Sequence, residues 1–379
     1  MLAPSVHPRL LLLAEDTRGD VSKSFHIFGR LRPLLEARTL YYGGCNSWRT
    51  RNGSCRSMSR ERSKTETERA VRLAVQRLDT LISGIGRGED ELFHSAMRET
   101  EPFQKVSGYI AATGVLGSIA VVIGNFLGLD PWGGLSLSTD TAEAALLGAL
   151  FSLPLVRLHN MKWSSEDRRQ FPALSVMEDR RQIPALSVIR ADTSTADRPL
   201  LEGMTRAQLA AVAASEAVLR SVWELAVVQQ AIAAAVVTCI GDEPWATGNA
   251  PQCEMLAAGI AALLFAVIKA STASAQFHGD PKQADVVHSA MQNCERYYTV
   301  VNTDQCSAGS MARAFKAVAL IWFQQRRDAV SLAWWMNAAE VLYVSGAWRA
   351  TGNLAAPAVI LALSKWVDII GLQEPRREP

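Results

Sequence analysis

The stretch from Thr205 to Ile240, TRAQLAAVAASEAVLRSVWELAVVQQAIAAAVVTCI, constrains this chain more than any other. It is longer than the roughly 20 apolar residues that cross a bilayer as a helix, yet it carries Glu216, Arg220 and Glu224. Spaced four apart, the three charges share one helix face. A charge at the bilayer centre costs about 2.5–3.5 kcal/mol on insertion scales. The three therefore need partners, either one another or groups on other helices. Such charges mark a functional interior by default; the alternative is a Glu–Arg–Glu ladder that only joins helices.

A second stretch, Val106 to Leu129, contains no charged residue and reads as a transmembrane helix. Lipid offers the backbone no water, so only helices or closed barrels span it. The apolar runs are too long and too little alternated for barrel strands. The expected fold is an all-α, polytopic transmembrane helix bundle with a polar N-terminal targeting or disordered segment. Further apolar runs lie near 142–156, which contains Pro154, and near 254–268, 311–323, 330–348 and 354–371. We expect six spans, with 311–323 at the interface or buried in protein; a count of eight stays open.

The mean hydropathy of +0.06 averages two unlike parts: residues 1–105 are polar and basic, and much of 106–372 is apolar. A net charge of +2 supplies no general field for nucleic acid. Residues 1–63 read as a transit peptide or disordered leader. They are rich in Arg and Ser and poor in acids, as in NGSCRSMSRERSK, which suits plastid or mitochondrial import. Within 64–105, residues 64–83 pattern as an amphipathic helix through Ala70, Leu73, Ala74, Leu78, Leu81 and Ile82.

Residues 157–204 form a polar insert in which DRRQFPALSV (167–176) recurs as DRRQIPALSV (179–188). One tandem pair is too short for a solenoid. The loops 130–141 and 241–254 lack Lys and Arg, whereas the N-terminal region and the insert are rich in Arg. The positive-inside rule puts the latter two on one side, matrix or stroma.

Six cysteines are scattered without a C-x-x-C; Cys239 and Cys253 flank one loop and either bridge or stay free. The six histidines, His159 among them, fall in polar or loop-like stretches and suggest no ligand cluster. Trp334, Trp335, Tyr343 and Trp348 suit an interfacial belt or packing.

Three polar motifs sit inside apolar helices: Ser215-Glu216-Ala-Val-Leu-Arg220, Phe265-Ala-Val-Ile-Lys269 and Ser364-Lys365-Trp366-Val367-Asp368. Glu216 and Arg220 can satisfy each other along one face. Lys269 has two outlets: it can snorkel to the boundary or pair with Glu216 or Glu224 across helices. Asp368 is interfacial or buried.

In order, spacing and context these motifs resemble those of the CPBP family, the CAAX-processing and bacteriocin-processing type of intramembrane metalloprotease. That family's pattern is E-E-x-x-x-R, then F-x-x-x-H, then H-x-x-x-N or H-x-x-x-D. The phrase TGNLAAPAVILALSKWVD at 351–368 is similar to the one around its last motif. The resemblance covers about 205–372. It implies a site of Glu216, Arg220 and Asp368, with Ser215 at the first Glu position, Glu224 nearby, Phe265 kept, and Lys269 and Ser364 at the two His positions.

Those departures remove the reactive groups. A general base must accept a proton and a metal ligand needs a lone pair; an ammonium offers neither. The resemblance thus implies a degenerate, pseudoprotease-like site with no cofactor, a metal being expected only if the site is active. With the Arg- and Ser-rich leader, the expectation is a plastid membrane protein (thylakoid or envelope) or one of the mitochondrial inner membrane. Its expected partners are membrane lipid and a membrane protein, with no nucleic acid. An active CAAX-type endopeptidase and a small-solute transporter running along the charged stripe are the alternatives.

Overall fold

The computed structural model describes residues 56–84, 95, 97, 99–136, 138–163, 184–240, 250–279, 281–301 and 305–373, with side chains from Thr67 onward. Its contacts divide the chain into two units, Met1–Ser63 and Lys64–Pro379, and every described side chain belongs to the second. The leader read at 1–63 lies outside the described residues except for the backbone of its last turns.

Every regular element among the described residues is helical. They are α1 (Arg56–Ser83), α2 (Pro102–Phe126), α3 (Thr139–Phe151), α4 (Leu153–Trp163), α5 (Pro184–Leu201) and α6 (Arg206–Arg220). A π-helical segment, Ser221–Gln229, joins α6 to α7 (Gln230–Ile240). Then come α8 (Ala250–Ala275), α9 (Pro281–Val301), α10 (Gln305–Thr351) and α11 (Ala355–Gln373).

Local chemistry sets several boundaries. Pro102 occupies the first turn of α2, where its missing N–H costs nothing. Thr205 and Gln208 form a reciprocal capping box that starts α6. Between α3 and α4 the axis bends by 41°. Pro154 explains it: the ring lacks a donor and crowds the preceding turn.

Four helices are long and apolar enough to cross a membrane: Pro102–Phe126, Arg206–Cys239, Gln252–His278 and Ala355–Gln373. The bent pair α3–α4 makes a fifth if counted as one span. These five correspond to sequence runs; the expected sixth, 330–348, does not stand alone. It belongs to α10, an unbroken helix of 47 residues, about 70 Å long at 1.5 Å per residue. Asn337, Glu340 and Ser345 dilute its apolar character.

The spans have their apolar residues on the outside. On α2 only 11% of the apolar window is buried, and Val115, Leu116, Val122 and Phe126 all face outward. On α8, Leu263, Leu264 and Ile268 do the same. In water that surface would be an aggregation liability; against lipid it is the ordinary solvent-facing side. The chain is an integral membrane protein. Its central helix is α11, which packs against α3, α4, α6 and α10.

The first half of α10 forms a separate core with α1 and α9, built on Ala74, Leu78, Val287, Cys294, Phe315 and Val318. Of the two placements expected for 311–323, the structure shows the one buried in protein. Of the residues patterned on α1, Ala70, Ala74 and Leu78 are buried and Leu81 and Ile82 pack at the edge, but Leu73 points out. Arg77 lies on Tyr297, 3.3 Å from its ring centre.

The polar insert is not uniformly a loop. Its first residues complete α4, its last form α5, and α5 packs on α10 and α11. The first copy of the duplicated phrase lies outside the described residues; the PALSV of the second opens α5. Cys239, Cys253 and Cys294 form no disulfide among the described residues.

Candidate functional site

The outward apolar surface of the spans is matched by ion pairs between the helices. Lys269, on α8, donates to Glu224. Glu224 sits in the π-helical segment, where the widened turn changes the facing of the side chains that follow α6. Its other oxygen meets Arg220 Nε at 3.3 Å. The guanidinium Nη2 of Arg220 donates to Glu340 on α10. Of the two outlets open to Lys269, the structure takes the cross-helix pair with Glu224.

The chain of contacts continues through a residue that sequence reasoning set aside. His159, on α4, places Nε2 3.7 Å from Glu340 and Nδ1 2.9 Å from Asp368. Trp163 Nε1 donates to the second Asp368 oxygen at 2.7 Å, and Lys162 Nζ stands 3.5 Å from it. Asp368 is therefore a part-buried, multiply bound carboxylate. With both ring nitrogens of His159 facing carboxylates, only the imidazolium can offer a proton to each.

A second group lies on the other side of α6. Glu216 accepts from Tyr109 Oη of α2 at 2.9 Å, and Lys365 Nζ of α11 stands 3.1 Å from it. Lys365 also faces Asp197 of α5 at 3.8 Å. Burial raises the Asp197 carboxyl above its usual range, against the pull of Lys365. Glu216 and Arg220 do not pair with each other, although their i,i+4 spacing allowed it; each finds its carboxylate or cation elsewhere.

The first group sets the fixed cations Lys162, Arg220 and Lys269 against Glu224, Glu340 and Asp368. The second sets Lys365 against Asp197 and Glu216. The first group balances without His159, so an imidazolium there offsets the second group's excess carboxylate rather than one of its own. Neutrality matters here because an uncompensated ion in a low-dielectric interior costs several kcal/mol after relaxation, on the order of 3–5.

Not every residue of the predicted site joins this network. Arg220, Glu224, Phe265, Lys269 and Glu340 line one small cavity with Leu225, Val341, Val344 and Leu361. Its volume, about 10 Å³, holds no more than a single water. Glu216 and Asp368 lie outside that cavity. Ser215 turns back on its own helix and donates to the Val212 carbonyl at 3.0 Å. Ser364 is buried and its hydroxyl has no hydrogen-bond partner among the described residues.

Sequence reasoning missed Tyr109, His159, Lys162, Asp197 and Glu340. Glu340 carried a usable signal, since it is an acid inside an apolar run. His159 sits one turn beyond an apolar run, close enough to have been counted with it.

The arrangement is rich in donors and acceptors but has each carboxylate engaged by a cation. Among the described residues no group of three or more His, Cys, Asp or Glu is arranged to hold a metal ion. No protein-family profile, curated protein or solved structure matches the chain.

Proposed function

We propose that the chain is a catalytically degenerate, CPBP-like membrane protein that acts as a scaffold or stabilising factor for other membrane proteins. Its setting would be a plastid membrane, thylakoid or envelope, with the mitochondrial inner membrane as the alternative. The reading rests on one observation above all. Lys269, at the position where the resembled family has an imidazole, is bonded to Glu224. With its two oxygens engaged by an ammonium and a guanidinium, Glu224 is committed to structural pairs rather than presented to a water, and the ammonium has no lone pair for a metal. The Ser364 hydroxyl, at the other imidazole position, is buried with no hydrogen-bond partner among the described residues.

A second reading keeps a hydrolytic role. It is favoured by His159, which brings an imidazole from α4 to Asp368, one helical turn from Ser364. The two separate on Glu216→Gln and Glu224→Gln variants expressed in the native membrane. A scaffold loses its own abundance or that of its partner. A hydrolase keeps normal abundance and loses turnover of its substrate.

A further inference from the structure

The opposite end of α2 from α5 holds a second feature, which the ion network does not use. Lys105, at the start of α2, donates to the Pro199 carbonyl of α5 at 3.2 Å. At the other end of α2, the loop that follows it meets α7, the first turns of α8 and the last turn of α10. These elements enclose a cleft of about 640 Å³, within the roughly 300–1,000 Å³ typical of small-molecule sites.

The chemistry changes across the cleft. Ala233, Ala234, Val237 and Ala258 give it an apolar side, and all four lie on candidate spans. Asp130, Glu254 and Arg349 give it a charged side. Arg349 makes no hydrogen bond or ion pair with any described residue; its guanidinium lies over the Trp348 ring, 5.5 Å from the centre. It differs in this from Arg220, Lys269 and Lys365, each of which holds a carboxylate. Asp130 is fixed on the rim, accepting from the N–H groups of Trp132 and Gly134 at 3.0 and 3.1 Å. The wall beside it is bare backbone. A Cβ at Gly134, where φ is +83°, would lie 2.2 Å from the Gly352 carbonyl oxygen.

We propose that this cleft binds one zwitterionic phospholipid, with its phosphate on Arg349, its ammonium toward Asp130 and Glu254, and its upper chain along the alanine side. Arg is suited to phosphate through its fork of donors. Two carboxylates against one guanidinium leave the cleft with a negative excess. That excess disfavours a purely anionic headgroup and favours one carrying an ammonium. The apolar side, continuous with the lipid-facing spans, suits an amphiphile rather than a free solute.

The test uses the full chain, purified in detergent and stripped of lipid, with binding followed by native mass spectrometry. The probes are phosphatidylethanolamine, phosphatidylglycerol and soluble phosphoethanolamine. The expected result is a preference for phosphatidylethanolamine over phosphatidylglycerol of at least about tenfold. Arg349→Gln and Glu254→Gln should each weaken it by about tenfold, the scale of one charged hydrogen bond, with unchanged thermal unfolding. Glu254→Gln should also shift the preference toward phosphatidylglycerol. If Arg349→Gln does not fold, Arg349→Lys and Glu254→Gln carry the same comparison. Equal binding of phosphatidylglycerol, or of soluble phosphoethanolamine, overturns the proposal. So does unaltered lipid selectivity in folded variants, which would leave Arg349 with only its favourable place at a helix C-terminus.

Discussion

His159 Nδ1 lies 2.9 Å from an Asp368 oxygen while the same ring turns Nε2 toward Glu340 at 3.7 Å, so one imidazole from α4 links α10 and α11. The contact joins three helices through one side chain. Replacing His159 with Ala leaves Asp368 with Lys162 and Glu340 with Arg220 but removes the bridge between the two carboxylates. The expected cost is about 1.5–3 kcal/mol, the scale of a hydrogen bond to a charged group. Thermal unfolding in detergent reads it. His159→Ala combined with Asp368→Asn should recover part of the loss, because Glu340 then no longer faces a second carboxylate across the gap.

The second group of pairs makes a different prediction. Lys365→Met strands Glu216 and Asp197 together, whereas Glu216→Gln keeps a hydrogen-bond acceptor for Tyr109. Lys365→Met should therefore destabilise more than Glu216→Gln, by about 1–2 kcal/mol, since an unpaired buried charge costs more than a lost pair of neutralised groups. Equilibrium unfolding of the two variants checks the order.

Close approach between helices is set by two glycines. A Cβ at Gly148 would lie 2.5 Å from the Ala356 carbonyl oxygen, and one at Gly371 would lie 2.3 Å from the Trp163 ring. Gly148→Ala should lower stability by at least about 1–3 kcal/mol through overpacking. Gly371→Ala should do the same and also disturb the Trp163 bond to Asp368. Gly114→Ala and Gly259→Ala, whose added Cβ atoms meet nothing within 4 Å, should be neutral or stabilising by up to about 1 kcal/mol. Unfolding temperatures of the four single variants decide it.

On α5, Asp192 pairs with Arg326 of α10. Burial raises the Asp192 carboxyl above its usual range, and Arg326 offsets that only in part. An acid whose folded pKa is raised loses stability as pH climbs through that pKa and regains it below. Asp192→Asn should therefore be tolerated better than Arg326→Ala, by about 1 kcal/mol. Limited proteolysis of α5 at neutral pH measures the difference.

Much of the fold was legible because membrane solvent simplifies the reading. The long Thr205–Ile240 run became continuous helix as expected, while the uncharged run Val106–Leu129 became a helix that starts earlier, at Pro102, and ends earlier, at Phe126. The α1 periodicity held except at Leu73, which a three-helix core leaves outside its seam. The expected sixth span, 330–348, does not stand out as a helix of its own because α10 has no break between 323 and 330 to announce where one environment gives way to another. The site was legible in part. Glu224 and Lys269 were matched by charge alone, since two opposite charges in neighbouring apolar helices have few other outlets. His159 was not legible. Its value depends on a 41° bend at Pro154 that turns α4 toward α11, and no local pattern encodes which way a bend points.

The most direct test is a double-mutant cycle on Glu224 and Lys269. If the interior is a neutralised, structural network, Glu224→Gln and Lys269→Met should each lower the unfolding free energy by about 2–4 kcal/mol. The pair together should cost less than the sum of the singles by at least about 1.5 kcal/mol. Costs that add, or a Glu224→Gln protein of normal stability and abundance that has lost turnover of a membrane substrate, would contradict the account.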